Sequence, residues 1–239
     1  MRLCKKCNIE ITQNYCPICG NSNSLKRIDG KYIATEIGSV LNFDKGILYT
    51  VKELILRPGK AVKEFILEDR KRLVKPILFL IVCSVIYTIA LQFLEFEDGY
   101  INMNFDDWND IIIGKIFNWI SKNYGYANIL MAVFITIWIK LFFRKYKYNH
   151  YEIFILLCFT MGISMLIFAL FGIVEGIIDY PVLQYGANIA IIYTAWAIGQ
   201  FFDGKKKLNY LKGILSYFLG MITFMIVVVL TGIIVEKII

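Results

Sequence analysis

Apolar positions recur at helical spacing at Ile33, Ile37, Val40 and Leu41, and again at Val51, Leu54 and Ile55. Arg57-Pro58-Gly59 interrupts the second series. Pro58 suits the first turn of a new helix, where its missing N–H would have no partner in any case. Val62, Phe65 and Ile66 give that next helix an apolar stripe. The pattern over 25–75 therefore predicts short, basic, amphipathic helices lying on the cytoplasmic face of a membrane. Arg70-Lys71-Arg72 and Lys75 are expected at the lipid headgroups.

Beyond Lys75 the stripes give way to nearly unbroken apolar runs. A hydrocarbon core about 30 Å thick takes about 20 helical residues. Spans are expected at 76–94, 128–143, 153–174, 187–202 and 213–235, with Lys140 snorkelling to lengthen the short second one. The chain thus divides into residues 1–24, a cysteine-bearing module; residues 25–75, the amphipathic helices; and residues 76–239, a transmembrane domain. The expected fold is all-α, a five-helix transmembrane bundle. Residues 111–123 carry an apolar stripe (Ile111, Ile112, Ile113, Ile116, Phe117, Trp119 and Ile120) too short to span. An interfacial helix on the outer face, with Trp108 and Trp119 at headgroup level, or a re-entrant segment both suit it.

Charge orders these spans. The segment between spans one and two holds Glu95, Glu97, Asp98, Asp106, Asp107 and Asp110 against Lys115 and Lys122. Arg144, Lys145 and Lys147 follow span two, Glu175 and Asp179 follow span three, and Lys205, Lys206, Lys207 and Lys212 follow span four. Basic and non-basic loops alternate, so the positive-inside rule places the N-terminus inside and the C-terminus outside. The polar N-terminus is expected to stay in the cytosol, and the expected location is the cytoplasmic (inner) membrane of a bacterium.

Composition agrees with a lipid environment. The 239 residues are 58% hydrophobic, with mean hydropathy +0.59. Soluble domains run at about 45–50% apolar. The net charge of +7 reflects 15 Lys and Arg against 8 Asp and Glu in residues 1–75. Cytoplasmic flanks facing anionic headgroups explain that excess without a nucleic acid.

The most specific chemical signal is Cys4-x2-Cys7 followed by Cys16-Pro17-Ile18-Cys19-Gly20. Each CxxC turns two thiolates toward one point, and two such knuckles supply the four soft ligands of a closed tetrahedral site. Cys4, Cys7, Cys16 and Cys19 are therefore the expected ligands of a structural zinc ion in a zinc ribbon, although an S4 site also accepts iron. Reduced cytosolic thiols favour metal over disulfide. A unit this small has almost no core, so the metal is expected to supply its folding energy. With Tyr15 as the sole nearby stacking aromatic, nucleic-acid binding is disfavoured.

Other residues carry weaker signals. Cys83 and Cys158 sit within spans, where cysteine is ordinarily a small hydrophobe. His150 and Glu152 could form an acid–base pair, but two positions apart on a helix they point to different faces; an interfacial polar cap is the favoured reading. No Asp, Glu, Lys or Arg occupies the middle of a span, against ion-coupled transport. Thr136, Thr160, Ser164, Asn188, Thr194, Gln200, Thr223 and Thr231 are expected to make interhelical hydrogen bonds. Gly172 with Gly176, Ala195 with Gly199, and Ser216 with Gly220 suit close helix packing, or a homo-oligomer face.

The knuckle at 16–20, Tyr49-Thr50 through Leu56-Arg57-Pro58-Gly59, Glu68-Asp69-Arg70-Lys71-Arg72 and Lys75-Pro76 resemble a bacterial family of uncharacterised multi-span membrane proteins with an N-terminal four-Cys zinc ribbon. The patch from Tyr148 to Glu152 is also similar. The likeness covers most of residues 1–82 and is weak over the later spans. Where Asp69 stands, the family is expected to carry Gly. The resemblance implies an architecture and no activity. The expected role is non-enzymatic: a scaffold or regulator in the envelope whose ribbon docks a cytoplasmic protein partner or acts as a structural module. A small transporter or channel subunit is the alternative. A lipid-active enzyme would draw on His150, Glu152, Asp106, Asp107 and Asp110.

Overall fold

Two prolines open helices. Pro58 is the first residue of α2, which spans Pro58–Leu67, and it follows directly on α1, which spans Ile47–Leu56. Pro76 begins α3, Pro76–Leu94. In each case the proline sits where no intrahelical donor is needed. Five further α-helices complete the order among the described residues: α4 Ile112–Lys122, α5 Tyr124–Phe142, α6 His150–Ile178, α7 Leu183–Asp203 and α8 Lys207–Ile238. A 3₁₀ turn, Arg144–Tyr146, joins α5 to α6 and ends at Lys147, which has φ 58°. The computed structural model describes residues 2–3, 7, 9–11, 16–18, 46–94, 112–178 and 180–238. The expected helix around Ile33 to Leu41, together with Trp108 and the acidic residues at 95–110, lies outside the described residues.

The chain forms two units, Met1–Leu41 and Asn42–Ile239. In the first, β1 (Arg2–Leu3) pairs antiparallel with β2 (Glu10–Ile11), in the register Arg2 with Ile11 and Leu3 with Glu10. Cys16 is buried, with Cys7 and Ile9 packed on it.

The second unit is a helical bundle. Four of its helices, α3, α5, α6 and nearly all of α8, are long and apolar enough to cross a membrane. α7 has the length, but Gln184, Asn188 and Gln200 make it more polar. α6 is the hub: 72% of its most apolar stretch is buried, against 17% for α8. Helices α3, α5 and α7 pack around α6, and α8 packs on α5 and α7. α7 runs antiparallel to α6. At its start Leu183 N donates to Glu175 Oε2 near the end of α6 (2.8 Å), and at its finish Phe201 packs against Tyr148 just before α6 begins. Outward faces carry exposed apolar side chains such as Ile77, Val85, Phe93, Ile137, Leu170, Ile192, Ile222 and Ile226, a surface suited to lipid. Several helices outrun the apolar stretches expected from sequence. α6 and α8, at 29 and 32 residues, reach about 44 and 48 Å at 1.5 Å per residue. Their polar ends extend past a core of about 30 Å.

Two amphipathic segments differ from their expected partners. The stripe of α2 is covered by protein rather than lipid: Ala61, Val62, Phe65 and Ile66 are all buried, with α6 and α7 against them. On α1 the inner face is Thr50 and Leu54, while Ile55 is turned outward. α4 likewise buries Ile113, Phe117 and Ile120, packing on α8 and α5, with Trp119 exposed.

Small residues set these approaches. A Cβ on Gly220 would lie 2.5 Å from Cα of Ile135, and one on Gly59 would lie 2.3 Å from the backbone nitrogen of Phe201. Gly199 similarly receives Tyr210, and Gly176 receives Leu94. The small-residue faces noted in the sequence are thus filled within the chain.

Candidate functional site

One end of the bundle, where α3, α6 and α8 begin and α5 and α7 finish, concentrates the polar chemistry. Arg57 caps α1 and leads into α2. The break lets one guanidinium meet an acid from each helix: Nε donates to Glu53 Oε2 at 3.0 Å and Nη1 to Glu64 Oε1 at 3.0 Å. Nη2 also pairs with Glu53. Arg72, in the turn after α2, reaches back over the same two acids. Its Nη2 donates to Glu53 Oε2 at 2.8 Å, its Nη1 pairs with Glu64, and its Nε donates to the hydroxyl oxygen of Tyr49 at 3.0 Å. The acids are 12% and 13% exposed and the arginines 29%, so the four charges cancel within a largely enclosed cluster.

Both guanidiniums are held above their ordinary, already high values. For Arg57 the main cause is its hydrogen bond to Glu53; for Arg72 it is the bond to Tyr49. Neither surrenders a proton at physiological pH. The acids, in turn, have their oxygens engaged by guanidinium donors. The arrangement is a clamp between α1, α2 and the following turn.

Further bonds tie that clamp to neighbouring segments. The Thr50 hydroxyl donates to Gly46 O (3.0 Å) and accepts from Val74 N (3.1 Å), holding the approach to α3 against α1. Helix ends leave backbone donors and acceptors without intrahelical partners. Here α7 supplies them: Gln200 Oε1 accepts from Gly59 N at 2.7 Å and Lys60 N at 3.2 Å, and the Tyr193 hydroxyl donates to Leu54 O at 3.1 Å. The last turn of α1 and the first turn of α2 are thereby satisfied from one helix.

Aromatic rings finish this end of the bundle. Phe143 stacks on Phe202 with centroids 4.0 Å apart, and Tyr148 packs on Phe201 at 4.6 Å. Lys206 lies over the Tyr146 ring at 5.8 Å, and Asn209 donates to the Tyr146 hydroxyl at 2.9 Å. Burial, and secondarily Glu152, pushes the Tyr148 hydroxyl up from its ordinary value. These contacts bring three basic segments to one face: Arg70, Lys71 and Lys75; Arg144, Lys145 and Lys147; Lys205, Lys206 and Lys207. All nine side chains are exposed.

His150 is exposed at the start of α6. Glu152 closes a capping box, its Oε2 accepting from Asn149 N at 2.7 Å while Asn149 Oδ1 accepts from Glu152 N at 2.8 Å. The carboxylate is thereby engaged in starting a helix. Asp69 makes an Asx turn, accepting from Lys71 N at 2.8 Å, so a local side-chain bond forms the turn where Gly was expected. Of the expected zinc ligands, Cys7 and Cys16 come together across the two knuckles, whereas Cys4 and Cys19 lie outside the described residues, as do Asp106, Asp107 and Asp110. Among the described residues, no group of three or more His, Cys, Asp or Glu converges as a metal site.

Sequence reasoning missed the Glu53–Arg57–Glu64–Arg72 cluster. Its only local signal was the Glu53/Arg57 pair at i,i+4; the longer reaches depend on how α1 and α2 fold back. It also grouped Gln200 with ordinary interhelical residues, when Gln200 caps another helix.

No curated protein and no solved structure matches the chain. Residues 44–88 match the family described as a protein of unknown function, DUF3667. That match covers less than half of the chain, and within it fall α1, α2, all four charges of the clamp, Tyr49, Thr50 and the first part of α3.

Proposed function

We propose that this chain is a non-enzymatic, multi-pass protein of the bacterial cytoplasmic membrane. In this reading an N-terminal zinc ribbon docks a protein partner, and the helical bundle anchors the chain in the membrane. The observation that carries it is the neutral, self-satisfied clamp of Glu53, Arg57, Glu64 and Arg72, joined by Gln200 and Tyr193 to the end of the bundle. These ion pairs hold α1, α2 and the following turn in one geometry, and they consume acids that a catalyst would keep available. Glu152 is consumed in the same way.

α7 is the fourth of five spans in this reading, joining α3, α5, α6 and α8. Its antiparallel course beside α6 and the gathering of three basic segments at one end support five crossings, an inside N-terminus and an outside C-terminus. A reporter phosphatase fused after Ile239, active only outside the cytoplasm, tests this. Activity is expected; an inactive fusion with the protein still in the membrane overturns the topology.

Zinc is proposed for Cys4, Cys7, Cys16 and Cys19. The residues fit: the β1–β2 ladder brackets the first CxxC, and Cys16 of the second knuckle is buried against Cys7. Bound there, zinc would supply structural cross-linking, with no open position for chemistry. The function is tested by capturing the protein from its native membrane, wild type against Cys16→Ser/Cys19→Ser. A protein present with wild type and lost with the variant is expected. Identical sets from both, with each variant still in the membrane, would remove the docking role. The transporter alternative has less support, because Thr136, Thr160, Thr223 and Thr231 each donate to a carbonyl of their own helix.

A further inference from the structure

Two hollows flank Tyr151 and Phe154 at the start of α6. One, of about 390 Å³, is walled by Phe65, Ile66, Pro76, Ile77, Phe154 and Ile155, with Arg70 at its polar side. The other, of about 410 Å³, lies between α5 and α6 against Val133, Thr136, Ile137 and Phe154, with His150 beside it. Both volumes fall in the range of small-ligand sites.

We infer that the α2–α6 hollow seats the headgroup end of an anionic phospholipid, with Arg70 contacting its phosphate. Three observations support it. Pro76, Ile77, Phe154 and Ile155 begin the apolar runs of α3 and α6, so the hollow sits where headgroups give way to hydrocarbon. A water-soluble ligand would face lipid along that wall, whereas an acyl chain continues naturally over it. Arg70 is exposed and makes no ion pair among the described residues, and Lys71, Lys75 and Lys147 add positive charge at the same end. Two of the nearby acids are turned to other tasks: Glu152 also lines the hollow but closes the α6 capping box, and Asp69 accepts from Lys71 N. The second hollow, across Tyr151 and Phe154, offers an apolar seat for a second chain.

The inference rests on the membrane placement proposed above, and the two fail separately. The phosphatase fusion reports topology whether or not a lipid binds, while lipid selectivity is read on purified protein in either orientation. The test is native mass spectrometry of the full chain in detergent, with phosphatidylglycerol against phosphatidylcholine as probes. Wild type is expected to retain phosphatidylglycerol about fivefold better, the effect of one basic side chain near a lipid surface. Arg70→Gln should abolish that preference, and Lys205→Gln, at the same end but outside the hollow, should keep it. Ile77→Trp, at a position 49% exposed that tolerates bulk, should lower retention of both lipids by filling the hollow. Equal retention of both lipids by wild type, an undiminished preference in Arg70→Gln, or unchanged binding in Ile77→Trp would overturn the proposal. So would displacement of the bound lipid by free glycerol phosphate, since the apolar wall would then contribute nothing.

Discussion

Arg57 and Arg72 each pair with both Glu53 and Glu64, so removing any one member leaves the enclosed cluster with an uncompensated net charge. Breaking one partner of a fully buried pair costs about 3–5 kcal/mol. With the arginines 29% exposed, about 2 kcal/mol is the scale for Glu64→Gln or Arg72→Met. Thermal unfolding in detergent should show the loss, and the double variant should recover part of it because no lone charge remains. Strictly additive losses would count against the cluster as a coupled unit. Glycines give a second contrast. Gly59→Ala drives a Cβ into the backbone of Phe201 and should cost about 1–3 kcal/mol. Gly125→Ala meets nothing nearer than 3.7 Å and should be neutral or gain up to about 1 kcal/mol from helix propensity.

Helices α1 and α2 are each 10 residues, too short to be stable alone in water. They persist because α7 satisfies their ends and, with α6, covers the stripe of α2. Gln200→Ala should therefore leave the spans intact while backbone amides at 59–67 exchange faster with solvent; unchanged exchange there would show that the side-chain cap is dispensable. For α6, Asn149→Ala removes half of the capping box and should cost about 1 kcal/mol. His150→Ala, at an exposed position, should stay within about 0.5 kcal/mol. Thermal shifts of equal size for the two would argue against the capping role.

Across the whole molecule, α6 holds the others in place while α3, α5 and α8 present apolar faces outward. The proposed ribbon is expected to hold one zinc per chain and to lose its fold on chelation, while the helices α1 to α8 keep their helix content. Metal analysis and circular dichroism before and after chelator measure both; absence of stoichiometric metal would end the ribbon assignment.

Much of this was legible along the chain. Long apolar runs announce helices whatever their neighbours, because a span's length is set by bilayer thickness. Pro58 and Pro76 mark helix starts through a missing donor, and the CxxC spacing is what the zinc proposal rests on. The alternation of basic and acidic loops likewise depends only on order. Tertiary structure decided what meets what. Arg72 reaches Glu53 across 19 positions and Gln200 reaches Gly59 across 141, distances at which no helical period carries information. It also decided that the apolar stripe of α2 faces α6 and α7 rather than lipid. Periodicity states that a face is apolar. Protein and lipid both satisfy that requirement, and only the packing of the other helices selects between them.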